Sequence, residues 1–259
     1  MQGASVKTAS GVEVVCIEDG TTVFAPEVFA SLDAQTRAAR LAAAGLSEIE
    51  TAFNCYLLRH SDGAVDLVDA GCGPRFGPNA GHLVARLHDL GVASGDIRNL
   101  IFTHLHGDHC GGAIGADGAV FENAQVFVHA ADVAQFAGEL GGEVLAAYAG
   151  RVTEIGADAE LPGGLRVWHL PGHTAGHCGL WIGEEVALVA DILHSFALQL
   201  PDPETCPVYD SDPEQAVATR RAALAHLADT GAVFSGSHGI GPRFLRAVKD
   251  GDGFGVTPA

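Results

Sequence analysis

Short apolar runs alternate along the chain with helical patterns and with loops rich in glycine, histidine and aspartate. Runs of this length that end in turn residues are typical of buried strands, and strands separated by helices indicate a layered protein. The strand-like runs cover residues 65–69, 100–102, 125–129, 165–170, 186–190 and 232–235. We therefore predict an α/β fold in which polar loops follow buried strands.

The clearest helical signal lies near the C-terminus. Asp212 is a suitable N-cap, Pro213 suits the first helical position and Gln215 the third, so we predict a helix over about 213–228. The preceding stretch, 196–212, contains three prolines and is expected to form a long ordered loop. Long loops beside a site often shape substrate binding.

Length and composition indicate a soluble globular protein. The chain has 259 residues without an internal repeat or an obvious linker, so we predict a single domain over residues 1–259. The first ten residues lack the basic and apolar regions of a secretory signal, which favours a cytoplasmic protein. The formal charge of −18 repels phosphate backbones and anionic lipid, so nucleic acid and membranes are not expected as partners.

The densest group of metal-ligand side chains lies in residues 103–109. His104 and His106 are two residues apart and can project to the same side, so both imidazoles can reach one ion. Asp108 and His109 then point elsewhere. That split suits two ions about 3.5 to 4 Å apart, the usual separation in two-metal hydrolytic sites.

Three later residues offer further ligands at predicted strand ends. His173 follows one apolar run, Asp191 follows the next and His238 follows the last. Singly, a loop histidine is more often an ordinary surface residue, but together with the earlier turn these three complete a ligand set. His177 and Cys110 are excluded from this set, since a role in turn geometry or packing explains each of them.

Several motifs resemble the metallo-β-lactamase superfamily. They are the H-x-H-x-D-H run at 104–109, P-G-H-T-x-G-H at 171–177, the strand-end aspartate at 191 and S-x-S-H at 235–238. The resemblance spans about residues 12–256 and implies a four-layer αββα sandwich. Segments 76–78 and 210–212 are similar to the branch that contains methyl parathion hydrolase and the N-acyl-homoserine lactonases, a branch with which a homodimer is compatible.

The resemblance also implies how the ligands divide between two metal ions. One ion is held by His104, His106 and His173, the other by Asp108, His109 and His238, and Asp191 bridges them. Nitrogen and oxygen donors make zinc the first expectation, although iron, manganese or cobalt fit the same set. Asp69 resembles the family's outer carboxylate that orients a histidine ligand, and the alternative is a simple turn-forming aspartate.

The implied reaction is hydrolysis by a metal-bridging hydroxide, positioned by Asp108 and Asp191. His194 stands where lactonases of this branch carry a tyrosine, so we consider two roles for it: a general acid and a loop histidine without a catalytic task. Four later residues are candidates either for an apolar substrate pocket or for core packing. They are Phe196, Leu198, Leu200 and Tyr209.

The predicted substrate is a small molecule, with a lactone or ester preferred by analogy with the branch. The alternatives are an organophosphate triester, as in methyl parathion hydrolase, and a non-catalytic metal-binding relative. The ligands alone do not separate the two hydrolytic activities, because both use the same metals and water.

Overall fold

In the computed structural model, residues 4–241 and 243–259 are described. The strands of this part of the chain, in order, are β1 Ser5–Lys7, β2 Glu13–Phe24, β3 Ile49–Arg59, β4 Val65–Val68, β5 Ile97–Ile101, β6 Ile114–Gly115, β7 Gly118–Ala119, β8 Gln125–His129, β9 Val152–Ile155, β10 Glu160–Leu161, β11 Leu165–His169, β12 Cys178–Ile182, β13 Val186–Leu188, β14 Val233–Ser235, β15 Leu245–Asp250 and β16 Gly253–Pro258. The helices are α1 Ala34–Ala43, α2 Leu83–Asp89, α3 Gly107–Cys110, α4 Ala130–Gln135, α5 Leu140–Ala147, α6 Phe196–Gln199 and α7 Pro213–Thr230.

The strands form two seven-stranded sheets. The first has the order β1-β2-β3-β4-β5-β8-β9 and the second the order β10-β11-β12-β13-β14-β15-β16, while β6 and β7 form a separate pair. Each sheet is mixed, with β4 parallel to β5 in the first and β13 parallel to β14 in the second. The loops that follow these parallel strands therefore leave their sheet at the same edge.

Side-chain alternation along the strands separates three apolar layers. On β3, Leu57 packs under the helices of the first sheet, together with Leu87 of α2. Its neighbours Tyr56 and Leu58 face the second sheet instead. The outer face of the second sheet packs against α7, for example through Leu224. The layers therefore run helix, sheet, sheet, helix, which confirms the predicted αββα sandwich.

The predicted strands agree with the structure to within a few residues, and the predicted late helix is confirmed. Asp212 caps α7 by accepting a hydrogen bond from the backbone N–H of Gln215, and Gly231 ends the helix in the left-handed conformation. The expectation of a continuous loop over 196–212 was wrong at its start, because residues 196–199 form α6. The three prolines all lie after this short helix, where they do not interrupt it, and its Leu198 is fully buried.

No helix among residues 4–241 and 243–259 is both long and apolar enough to cross a membrane. Residues 1–3 of the predicted domain lie outside the described residues. The single-domain organisation and the cytoplasmic location stay predictions.

Candidate metal centre

The Asp191 carboxylate lies at the centre of a cluster of histidines. It follows β13 in a tight turn, and the preceding Ala190 has a positive φ of 47°. The Asp191 backbone N–H donates to Nε2 of His177, which fixes the direction of the turn. Five imidazole Nε2 atoms surround Asp191 Oδ2, at 2.9 Å for His238, 3.2 Å for His109, 3.4 Å for His194, 3.5 Å for His173 and 3.7 Å for His104.

His104, His106 and His173 converge on one point, and we call them the three-histidine set. His106 Nδ1 is 3.0 Å from His104 Nε2 and 2.9 Å from His173 Nε2. Burial lowers the pKa of His104 well below its usual value and that of His106 to about 4. The ligand atoms of the three residues lie close enough together to hold one metal ion.

Asp108, His109, Asp191 and His238 form a second group, which we call the mixed set. Asp108 Oδ2 is 3.6 Å from His109 Nε2 and 3.7 Å from His238 Nε2. Burial alone would lower the pKa of His109, but the carboxylates of Asp191 and Asp108 outweigh it and hold that pKa above its usual value. The same balance raises the pKa of His238. The mixed set is therefore a strongly polarised cluster of opposite charges.

Two polar atoms of the mixed set are buried and have no hydrogen-bond partner within the described residues. They are His109 Nε2 and Asp191 Oδ1. A buried polar atom without a partner costs about 1 to 3 kcal/mol, so such atoms in a native fold call for a ligand. Imidazole nitrogens and carboxylate oxygens at these spacings fit divalent cations such as zinc.

Asp69 orients His109 of the mixed set, which is the role that the sequence motif implied. It follows β4 with a φ of 59°, a conformation uncommon for a residue other than glycine. Its Oδ2 atom is 2.8 Å from His109 Nδ1, and its two oxygens accept hydrogen bonds from the backbone and hydroxyl of Thr103. His238 Nδ1 donates to the Ala52 carbonyl at 3.0 Å. Both contacts leave the Nε2 atoms directed at Asp191.

Two buried carboxylates with comparable roles were missed by the sequence reasoning. Asp132 on α4 accepts hydrogen bonds from the Leu105 N–H, the Thr174 hydroxyl and the Gly176 N–H, so it joins the two loops of the three-histidine set. Asp210 accepts from His173 Nδ1 at 3.0 Å. Asp210 lay in a segment noted only for its resemblance, and nothing in the local pattern marks Asp132.

A cavity of about 390 Å³ opens onto these residues. Its walls are largely aromatic, and neither lysine nor arginine occurs among the described residues that line it. The lining consists of Thr22, Phe24, Phe53, Phe76, His106, Gly107, Asp108, His173, Asp191, His194, Tyr209 and His238. An apolar pocket with a few convergent polar groups is the usual form of a small-molecule site.

Of the four residues predicted for pocket or core, one lines the cavity and three pack elsewhere. Tyr209 lines the cavity, and its ring is 5.9 Å from that of Phe24. Phe196 packs against the turn that carries His238, while Leu198 and Leu200 belong to apolar clusters. Core packing is therefore the correct interpretation for Leu198 and Leu200, and for Phe196 as a support of that turn. The aromatic walls of β2 and β3 were missed, because apolar strand residues look alike in sequence.

His194 lies between the two ligand groups. Its ring is stacked on His238 with centroids 4.8 Å apart, and its Nδ1 atom is buried without a hydrogen-bond partner in the described chain. Together with His173 and Asp191 it forms a third group that could hold an ion. His177 stays outside all three groups and donates to the Leu170 carbonyl, as Cys110 does to Leu105.

Comparison with solved structures shows this fold in known proteins. The dizinc quorum-quenching lactonase AidC, solved with N-hexanoyl-L-homoserine, is 22% identical, with a TM-score of 0.92 over 100% of this chain and 98% of that one. The hydrolase AbOPH of the β-lactamase superfamily is 24% identical, with a TM-score of 0.86 over 100% and 97%. The AiiA protein of B. thuringiensis, solved with N-decanoyl-L-homoserine, is 20% identical, with a TM-score of 0.66 over 93% and 95%. At these identities the likeness concerns the fold alone.

No relative was found among curated proteins. A family model does match the sequence, over residues 51–238, which is more than half of the chain. This range contains every residue of the three-histidine and mixed sets. The match agrees with the motifs from which the family was predicted, and it supports the prediction that the chain is an enzyme. The protein belongs to the metallo-β-lactamase superfamily.

Proposed function

We propose that this protein is a dinuclear metal-dependent hydrolase that opens neutral lactones or esters, with N-acyl-homoserine lactones as the preferred class. One observation carries the proposal: an aromatic cavity without lysine or arginine in its described lining opens directly onto the histidine and aspartate cluster around Asp191. The cavity therefore suits a substrate with an apolar group beside an uncharged carbonyl.

The charge of the lining separates substrate classes. Asp108 and Asp191 place carboxylates at the cavity floor, and its wall offers no basic side chain in the described chain to balance a substrate carboxylate. The bound cations would neutralise these two carboxylates, so a substrate carboxylate lying away from the reacting carbonyl would need a basic side chain of the wall as its partner. Anionic β-lactams and glutathione thioesters are therefore disfavoured, whereas lactones and simple esters meet no such barrier.

We assign one cation to His104, His106 and His173, and a second to Asp108, His109 and His238, with Asp191 shared. Bound cations of this kind lower the pKa of water towards neutrality and polarise the carbonyl under attack. Asp108 and Asp191 accept hydrogen bonds from the attacking water and so orient it. The aromatic walls exclude bulk solvent and hold the acyl group.

His194 is assigned the return of a proton to the leaving alkoxide. Its burial and its place between the two ligand groups put an imidazole next to the reacting centre. Burial lowers its pKa well below the usual value in the metal-free protein, so it is neutral there and must first accept the proton that the attacking water releases before it can donate one. A proton donor matters most for poor leaving groups such as the alkoxide of an opened lactone.

A phosphotriester is the second candidate, because it is also uncharged and because the aromatic walls suit an aryl leaving group. The lactonase neighbours AidC and AiiA, each solved with an acyl-homoserine, favour the lactone. The structural similarity to these two proteins supports ranking lactones above phosphotriesters.

The test is a substrate panel on metal-analysed protein. We expect the highest kcat/KM for neutral acyl lactones, lower values for aryl esters and paraoxon-like triesters, and the lowest for β-lactams and glutathione thioesters. A higher kcat/KM for any anionic class than for every neutral one would refute the proposed selectivity. Protein that contains two metals and is inert towards the whole panel would be a non-catalytic relative.

A further inference from the structure

Arg220 is a charged side chain in the interior of the molecule. It lies in the middle of α7 and is only 1% exposed. Each part of its guanidinium group has a partner: Nε donates to the Ile192 carbonyl at 2.6 Å, and Nη1 donates to the Pro203 carbonyl at 2.7 Å. Its Nη2 atom is 3.1 Å from Asp210 Oδ2. One side chain therefore connects α7 to the turn after β13 and to two points of the loop between α6 and α7.

The second oxygen of Asp210 leads to the three-histidine set. Asp210 Oδ1 accepts the proton of His173 Nδ1 at 3.0 Å. Because that proton sits on Nδ1, the lone pair is on Nε2, the atom that lies 2.9 Å from His106 Nδ1 and 3.5 Å from Asp191 Oδ2. The Arg220 and Asp210 pair thus reaches the ligand atom of His173 through a continuous chain of hydrogen bonds.

Stability alone is a poor explanation for this pair. Desolvation of two buried charges offsets much of their attraction, and apolar residues of similar volume are often as stabilising. Carboxylates that orient a metal-bound imidazole, in contrast, set both its tautomer and its basicity. The other contacts of Arg220 also end beside the site, since Ile192 follows Asp191 and the 203–210 segment delivers Tyr209 to the cavity wall.

We propose that Arg220 is a positioning residue for the metal centre. It fixes the orientation and tautomer of His173 through Asp210, and it holds the Asp191 turn and the Tyr209 segment in register with that ligand. This inference rests on the proposed ligand set, and it concerns metal binding rather than the choice of substrate.

The test compares Arg220→Met, Arg220→Lys and Asp210→Asn with a matched control, Arg221→Met. Arg221 is the next residue on α7, but it is partly exposed and pairs with Glu204 at the surface. Zinc affinity and stoichiometry are measured by competition with a chromophoric chelator. We expect Arg220→Met and Asp210→Asn to weaken one of the two ions by about 10- to 100-fold, with a smaller loss for Arg220→Lys. Arg221→Met should stay within about twofold of the wild type.

A double-mutant cycle separates positioning from general structural support. In a His173→Ala background, Arg220→Met should cause less than about a threefold further loss of zinc affinity, because the ligand it orients is gone. Asp210→Asn preserves the side-chain shape, so the test survives if Arg220→Met does not fold. Unchanged zinc affinity in Asp210→Asn, or an equal loss with and without His173, would overturn the inference.

The same titration distinguishes this inference from the proposed function. Wild-type protein that binds no zinc would overturn both. Wild-type protein that binds two zinc ions but hydrolyses no neutral ester or lactone would overturn the proposed function alone, and the variants would still decide the role of Arg220.

Discussion

The three-histidine set and the mixed set lie side by side but differ in charge. Three buried imidazoles form the first, and burial lowers the pKa of His104 and of His106, so these two are neutral ligands at neutral pH. Two carboxylates enter the second, where Asp191 and Asp108 raise the pKa of His109 and His238. The first set therefore presents neutral lone pairs, whereas the second attracts cations electrostatically.

This difference explains why the supports of the two sets also differ. Asp69 and the Ala52 carbonyl hold the imidazoles of the mixed set. The three-histidine set brings no carboxylate of its own, and it relies on Asp132 and Asp210 around it and on the shared Asp191 beside it. Neutral ligands thus need charged neighbours to bind a cation tightly, and Asp191 is the residue common to both arrangements.

The largest effect is expected from Asp191→Ala, which removes the carboxylate between the sets. Loss of a shared ligand removes several kcal/mol of transition-state stabilisation, so kcat/KM for an acyl lactone should fall by about 10³-fold or more. Steady-state kinetics gives kcat/KM of the variant, and metal analysis of the same sample gives its metal content. Asp158→Ala, on an exposed carboxylate in a different cavity, is the control and should match the wild type.

The sets can be separated by His106→Ala and Asp108→Asn. Each should reduce the metal content from about two ions to about one and lower kcat/KM by about 10²- to 10³-fold, since two-metal chemistry needs both ions. Elemental analysis of the purified variants gives the content. Retention of two ions and full turnover by either variant would refute the division of ligands.

His194→Ala asks whether this histidine belongs to a ligand set or acts on the substrate. As a proton donor it should contribute about 10²-fold to kcat for an alkyl lactone and much less for a nitrophenyl ester, whose leaving group needs no proton. Metal content should stay at two. Loss of an ion from the variant would instead place His194 among the ligands, with His173 and Asp191.

The smallest effect concerns the stability of the metal-free protein against acid. His106 has a folded-state pKa of about 4, so between pH 6.5 and about 4 the unfolded chain binds a proton there that the folded chain does not. The free energy of unfolding of the metal-free protein is therefore unaffected by the protonation of His106 above pH 6.5, and it declines as the pH falls towards about 4. Urea unfolding should give a lower free energy of unfolding at pH 5 than at pH 7. The His106→Gln substitution should reduce this difference by about 1 to 3 kcal/mol. An identical decline in the variant would show that His106 is not kept neutral by burial.

Local chemistry made part of this site predictable from sequence. The spacing of His104, His106, Asp108 and His109 after a buried strand reports directly on ligands that one turn can present. The structure brings His173, Asp191 and His238 to the same edge because the strands before the last two are parallel neighbours. Family motifs supplied the αββα order, which hydrophobic periodicity alone left open.

The unpredicted residues act over long sequence separations. Arg220 sits in a helix whose other arginine, Arg221, is partly exposed, so no local pattern distinguishes the buried residue from its neighbour. Asp132 lies on α4, which follows β8, whereas the two loops that it joins follow β5 and β11. Phe53 looks like a core residue of β3 until the cavity beside it is known. Such roles depend on tertiary contacts that strand and helix patterns do not encode.

Anomalous diffraction from zinc-loaded crystals would locate the two metal ions that we propose share Asp191. Two peaks about 3.5 to 4 Å apart are predicted, one bound by the three-histidine set and one by Asp108, His109 and His238, with Asp191 contacting both. A single peak, or two peaks of which only one contacts Asp191, would show that Asp191 is not shared between two ions.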